Sequence, residues 1–345
     1  MKYRIFGPSG LRVSEMCLGA MTIGDAYDWG ADRDASRAIF DAFLDAGGNF
    51  IDTANRYQEG RSEELLGEFM AGMRNRVVLA TKYSLTMDPN DPNSGGNHRK
   101  SLVTAIEDSL RRLKTDYIDL LWMHAWDQVT RAEEVMRALE HLAASGKILH
   151  FGASDTPAWI ISRSNAIAEL RGWSSFTGVQ LPYSLIERSP EREALPMAQG
   201  LGLGVVAFGC LGAGVLTGKY LDDAENAEGR INRRDWPLAN TAKDAGVQAI
   251  ARAVRDIAAE LGVTPSQVAL AWVKAQHESY IPIVGVRTVQ QLQDNLAAVD
   301  VALDAAHLGR LDELSRISMG YPWNVLSRIA NTTLGGRLSK ESASA

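Results

Sequence analysis

The sequence predicts an α/β fold of eight strand–helix units, a (β/α)8 TIM barrel with an N-terminal β-hairpin and a C-terminal extension. Two observations predict it. Short apolar runs of strand length alternate with amphipathic helical segments, the pattern of a parallel sheet with right-handed crossovers. These units number eight, and 345 residues suit a closed barrel with insertions. A third observation disfavours an open, doubly wound sheet. The first barrel strand is followed by Leu18-Gly19-Ala20-Met21, which does not match the G-x-G-x-x-G turn such sheets usually carry.

Each element follows from local signals. Residues 2–15 read as a hairpin turning at Gly7-Pro8-Ser9-Gly10. The first barrel strand covers 16–18, followed by an aromatic loop with Tyr27 and Trp29 and a helix over 34–46. The second strand, Phe50-Ile51, ends at Asp52; its helix covers 62–70, with Ser62 as cap and Glu63 and Glu64 in the first turn. The third strand, 77–80, ends at Lys82 and leads through a long polar loop, 84–97, into a helix ending near Leu113. The fourth, 118–123, ends at His124 and is followed by a helix over 132–144. The fifth, 148–153, ends at Ser154-Asp155, and Pro157 suits the first turn of the next helix. The sixth, near 177–179, ends at Gln180; the seventh, 203–207, runs into a Gly-rich loop; the eighth, 280–284, ends at Gly285. No shift in composition marks a linker, so a single domain over 1–345 is expected, with 319–345 as the extension.

Composition narrows the function. The chain is 46% hydrophobic and 23% charged, an ordinary globular profile. A net charge of −6 disfavours nucleic acid or an anionic membrane as partner. No apolar run reaches the ~18–20 residues of a membrane span, and the N-terminus lacks a signal-type core, so a soluble, cytoplasmic protein is expected. Cys17 and Cys210 are too few for a disulfide framework and read as small buried residues. The six histidines show no paired spacing, so no metal is expected.

The strand ends carry the chemistry. Asp52, Lys82, His124, Ser154, Gln180 and Gly285 would surround one mouth, where barrels of this type place their active sites. Asp52 and Lys82 follow apolar runs and need each other as buried charges. Lys82 would favour the phenolate of a nearby Tyr57 and lower its pKa. His124 would add a hydrogen-bonding group. Any one of these has an ordinary packing explanation; their succession along consecutive strands does not.

The sequence resembles the aldo-keto reductase superfamily. The likeness rests on Phe50-Ile51-Asp52-Thr53-Ala54-x-x-Tyr57, Ala80-Thr81-Lys82, Asp119-Leu120-Leu121-x-x-His124, Gly152-Ala153-Ser154, Val179-Gln180-x-x-Tyr183-Ser184, the run Leu211 to Lys219, and Val284-Gly285 to Asn295. It is most similar to the aryl-alcohol dehydrogenase-like branch, through Gly47-Gly48-Asn49-Phe50, Gly95-Gly96-Asn97 and Ser154-Asp155-Thr156-Pro157-Ala158-Trp159. The resemblance implies NADP(H) lying across the mouth, with Asp52, Tyr57, Lys82 and His124 as catalytic residues. It places Ser154, Asp155 and Gln180 at the carboxamide, and Tyr183 stacked on the nicotinamide. The loop with Phe208, Gly209, Leu211, Gly212, Gly214 and Lys219 would cover the pyrophosphate. Gly285, Arg287, Gln291, Asp294 and Asn295 would hold the adenosine phosphate end, and Ala20, Met21 and Asp52 would line the near side. Many family members have Asn where this chain has Asp155.

The reaction so implied is reversible hydride transfer between nicotinamide C4 and a carbonyl or alcohol. Tyr27, Trp29, Met87, Trp126 and Trp236 would form an apolar wall suited to an aryl aldehyde or bulky cyclic ketone, and Tyr321 and Trp323 would help close it. Two other readings stand beside this one. One is a regulatory subunit of the same fold that holds cofactor with little turnover; the other is an isomerase-type barrel that binds sugar phosphates.

Overall fold

The computed structural model describes residues 1–221 and 241–333. The chain order is β1 (Tyr3–Ile5), β2 (Arg12–Ser14), β3 (Cys17–Gly19), α1 (Arg33–Asp45), β4 (Phe50–Asp52), α2 (Arg61–Phe69), β5 (Val78–Tyr83), α3 (Arg99–Leu113), β6 (Ile118–Met123), α4 (Ala132–Ala144), β7 (Ile148–Ser154), α5 (Ala158–Arg171), β8 (Gly178–Pro182), α6 (Ala194–Gly200) and β9 (Gly204–Phe208). It continues with α7 (Ala245–Leu261), α8 (Pro265–Gln276), β10 (Tyr280–Gly285), α9 (Val289–Leu296), α10 (Ala305–Ser315) and α11 (Trp323–Thr333). Strands β3 to β10 close into a parallel barrel in chain order, with β10 pairing back onto β3 through Val284 and Leu18. The expected (β/α)8 barrel with an N-terminal hairpin is therefore the fold. Among the described residues no helix is long and apolar enough to cross a membrane.

The hairpin closes the amino-terminal end of the barrel. Phe6, at its turn, is fully buried and packs edge-on against Phe50 at 5.9 Å and Trp122 at 6.2 Å. Large rings fit inside because the facing positions are glycine: a Cβ at Gly178 or Gly204 would collide with Phe6, and one at Gly152 with Trp122. Glu15 ties the hairpin down, accepting from the Lys2 amide at 2.8 Å and from Lys274 Nζ of α8 at 2.9 Å. The interior layer of Phe6, Phe50, Val78, Ala80, Leu120 and Trp122 is the floor on which the site rests.

Two local expectations change. Ser62 does not cap α2: the residue before the helix is Gly60, in the left-handed region at φ +93°, and it forms no side-chain cap. The Ser62 hydroxyl instead donates to the Ala20 carbonyl at 2.8 Å and lies 2.8 Å from the Thr53 hydroxyl. Glu63 and Glu64 do stand in the first turn of α2, as expected, but Glu63 does not face solvent. It is fully buried, accepting from Thr81 Oγ1 at 2.6 Å and Arg112 Nε at 2.7 Å. Buried, it meets the α2 dipole and a cation at once, which offsets its desolvation. Pro157 stands just before α5 as its cap residue and not inside its first turn. The expected extension contains α11; residues 334–345 and the charged loop with Trp236 lie outside the described residues.

Candidate active site

Strand periodicity decides which side chains meet at the mouth, because alternate residues face opposite sides of the sheet. In β5, Val78 and Ala80 belong to the interior layer, so Lys82 points inward above them. Leu79 and Tyr83 belong to the layer beneath the helices. The same count places Asp52 above Phe50, His124 above Trp122, Phe208 above Val206 and Gly285 above Ile281 and Ile283. Gln180 sits inward because Val179 and Leu181 face the helices. Asp52, Lys82, His124 and Gln180, from separate strands, thus meet at the carboxyl-terminal end of the barrel.

Lys82 Nζ is the hub. It forms an ion pair with Asp52 Oδ2 and donates to the Thr53 carbonyl and the Tyr57 hydroxyl, each at 3.0 Å. All three ammonium protons are used. The remaining Asp52 oxygen accepts from Gln180 Nε2 at 2.8 Å. Lys82 and Asp52 are 1% and 2% exposed, so the pair is sealed from water. Tyr57 is half-buried, and its ring meets the His124 ring edge-on with centroids 6.1 Å apart. His124 Nδ1 is buried with no hydrogen-bond partner among the described residues.

The Tyr57 loop is held by unusual backbone. Gln58, Glu59 and Gly60 follow one another with φ of +50°, +55° and +93°. Side chains there cost roughly 1–2 kcal/mol each. Gln58 secures the turn: it is fully buried, donates to the Met21 carbonyl at 3.0 Å and accepts from the Tyr27 amide at 2.8 Å. The loop presenting Tyr57 and the loop carrying Tyr27 and Trp29 are one connected piece.

The electrostatics correct one expectation. Burial raises the Tyr57 pKa, the Lys82 charge and hydrogen bond lower it, Asp52 raises it, and the net direction is up. Lys82 acts with the expected sign, but desolvation of the phenolate outweighs it. Burial pulls the Lys82 pKa down, yet Asp52 and the Tyr57 oxygen carry it above its ordinary value. Burial, followed by the Lys82 charge, pushes His124 down to about 3. At neutral pH the cluster is therefore an ammonium–carboxylate pair, a phenol and a neutral imidazole, summing to zero charge.

Tyr183 does not reach the mouth. Three residues on from the inward Gln180, it falls on the helix side of the sheet. It is 2% exposed, tilted against Trp272 at 5.3 Å and edge-on to Tyr280 at 5.8 Å, and its hydroxyl donates to Glu191 at 2.6 Å. Phe208, two residues past inward Val206, is the half-buried aromatic at the mouth, and counting by twos along the strands would have found it. Ser154 pairs in register with Gln180. Asp155 follows at φ +38°. Gly209, Gly212 and Gly214 all have positive φ, although Gly212 is also required by packing, since a Cβ there would collide with Ile186. Lys219 is exposed beside them.

The remaining candidates divide. Arg287 is exposed, and its amide donates to Gln291 Oε1 at 2.9 Å. Asp294 is engaged elsewhere: it accepts from Thr264 Oγ1 at 3.2 Å and Gln267 Nε2 at 2.9 Å, joining α9 to the start of α8. Asn295 is buried on α9, Ala20 is buried behind β3, and Met21 is half-buried. Tyr27 and Trp29 lie tilted against each other with ring centroids 5.2 Å apart, and Met87 is half-buried in the loop after β5. Trp126 meets Trp159 edge-on at 5.6 Å, with Trp159 59% exposed. Nothing in the sequence marks Trp159 or Gln58 as lying at the mouth, because a helix start and a polar loop give no signal of where their side chains point. A cavity of about 390 Å³ lies beside this edge, lined by Ser154, Asp155, Gln180, Pro190 and Arg192 among others.

The mouth gathers a sealed lysine–carboxylate pair, a phenol and an imidazole, groups able to hold and move a proton. Comparison with known proteins supplies the family. A profile described as "Aldo/keto reductase family" matches residues 15–316. Norsolorinic acid reductase A of Aspergillus parasiticus is 37% identical over 335 residues, covering 94% of this chain and 84% of that protein. An aryl-alcohol dehydrogenase [NADP(+)] of Phanerodontia chrysosporium is 36% identical over 338 residues, 93% of this chain and 88% of that protein. The aldo-keto reductase ausK of Aspergillus calidoustus is 36% identical over 338 residues, 94% and 85%. The chain belongs to the aldo/keto reductase family. It is an oxidoreductase acting on carbonyl and alcohol groups with a nicotinamide cofactor.

Proposed function

We propose that this protein is an NADP(H)-dependent aldo-keto reductase, interconverting an aryl aldehyde or bulky cyclic ketone and its alcohol, with Tyr57 as the group that gives and takes the proton. The observation that carries this reading is Lys82 Nζ, bound at once to Asp52, the Thr53 carbonyl and the Tyr57 hydroxyl. When bound, the nicotinamide supplies or accepts the hydride. In reduction a carbonyl carbon gains that hydride and its oxygen gains the Tyr57 proton; alcohol oxidation is the reverse, so atoms and electrons balance. Lys82, fixed by Asp52 and Gln180, stabilises the tyrosinate that results. His124, being neutral, can donate a hydrogen bond to the carbonyl oxygen and hold it beside Tyr57.

The mouth fits such a cofactor. A Cβ built at Gly209 or Gly285, at the adjoining ends of β9 and β10, meets no atom of the described residues within 4 Å, so they leave space open there. Backbone free of side chains can approach phosphate closely. Arg287 makes no ion pair among the described residues and stands where β10 meets α9, placed to clamp a 2′-phosphate. The half-buried Tyr27–Trp29 pair and the Trp126–Trp159 pair suit a flat aromatic substrate. The test is a panel of aryl and cyclic carbonyls and their alcohols, followed by nicotinamide absorbance in both directions with each cofactor. No turnover across that panel, with cofactor tightly retained, would refute the enzymatic reading. A preference for NADH would refute the Arg287 assignment.

A further inference from the structure

The cluster around Lys82 is electrically balanced, and Asp155 is not part of that balance. Asp155 follows Ser154 at the end of β7, one residue past the position paired with Gln180, and its carbonyl accepts from the Trp126 amide at 3.4 Å. The residue is exposed and lines the cavity beside Ser154 and Gln180. Its backbone is left-handed at φ +38°. Aspartate usually tolerates that conformation by bonding its carboxylate to nearby backbone. Here the carboxylate makes no hydrogen bond or ion pair among the described residues, so that local reason is missing. Partial desolvation raises the Asp155 pKa, and among the described residues Lys82 is the cation whose charge pulls against that rise. The Asp155 charge is felt in turn at Tyr57.

Hydride transfer brings donor and acceptor carbons to about 3–3.5 Å, so a carbonyl held by Tyr57 requires the nicotinamide ring at the same mouth. The ring is cationic when oxidised and neutral when reduced. We propose that Asp155 sets the redox preference of the bound cofactor: its unpartnered carboxylate faces the nicotinamide end of the site and stabilises the oxidised form over the reduced one. This rests on the cofactor reading above. It deepens that reading by assigning a direction, since on the enzyme the equilibrium is drawn toward carbonyl reduction, after which the oxidised cofactor leaves slowly.

The two cofactor forms share the adenosine and every phosphate, so the ratio of their dissociation constants isolates the charge on the ring. That ratio is to be measured by calorimetry near pH 8 for the wild type, for Asp155→Asn and for Asp155→Gly. Asparagine tolerates the left-handed backbone and glycine adopts it freely, so neither variant should fail through strain. Unit charges a few ångströms apart near a protein surface shift an equilibrium by tenfold or more. We expect both variants to bind NADP⁺ about tenfold more weakly while NADPH binding changes by less than about twofold. A ratio that does not move, or equal weakening of both forms, would overturn the proposal. Failure of the wild type to bind either form would instead overturn the cofactor reading.

Discussion

Replacing Tyr57 by phenylalanine is the sharpest test of the site, because it removes one atom from a network whose other bonds are defined. The ring keeps its edge contact with His124. Lys82 Nζ loses one acceptor but keeps Asp52 and the Thr53 carbonyl. The fold should therefore survive. A positioned acid or base contributes about 10²–10⁴-fold, roughly 3–5 kcal/mol of barrier. Single-turnover hydride transfer, followed by nicotinamide absorbance, should slow by that factor, while cofactor binding changes little. Lys82→Met should be comparably slow for a different reason, since Tyr57 then faces no cation to stabilise its anion. It also leaves Asp52, 2% exposed, with Gln180 as its remaining side-chain donor, a state that costs about 3–5 kcal/mol of stability. Its assay needs a circular-dichroism control and the companion Asp52→Asn/Lys82→Met, which removes the stranded charge. The Tyr57→Phe/Lys82→Met double variant should be little slower than either single one, because the two groups act as a unit. A Tyr57→Phe protein with near-normal hydride transfer would refute the mechanism, whatever happened to its KM.

Other consequences follow from the same geometry. Arg287→Ala should raise the Kd for NADPH much more than that for NADH, measured by fluorescence titration; equal losses would remove the 2′-phosphate assignment. His124 is held near 3 in the folded chain and titrates near 6.5 when unfolded, so the unfolded state binds the extra proton between those values and stability falls as pH drops through that window. The loss is on the order of 4 kcal/mol, and His124→Gln should show a shallower acid limb in denaturant melts from pH 7 to 4. Phe6→Ala empties the barrel floor and should lower stability by about 3–5 kcal/mol in urea unfolding. Exhaustive chelation should leave turnover intact, and activity restored only by zinc would overturn the metal-free mechanism.

Several decisive features were already written in the sequence. The alternation of strand and helix signals determined a parallel sheet, and the count of eight units, with no G-x-G-x-x-G turn after the first strand, favoured a closed barrel over an open sheet. Polar residues closing apolar strands marked Asp52, Lys82, His124 and Gln180, since buried charges and amides need partners from other strands. The two-residue period of a strand held more than the motifs did: it turns Phe208 inward and Tyr183 toward the helices. Tertiary structure alone decided the rest. Whether Lys82 or desolvation governs the Tyr57 pKa depends on how deeply the phenol is packed, a quantity no local signal records. Glu63 looks like an ordinary first-turn acid until Arg112, 49 residues along the chain, is brought against it in the fold. Gln58 reads as a loop residue until its amide is found joining two loops at the mouth. In each case the sequence names the group, while its charge state or partner is set by residues far away in the chain that folding alone brings into contact.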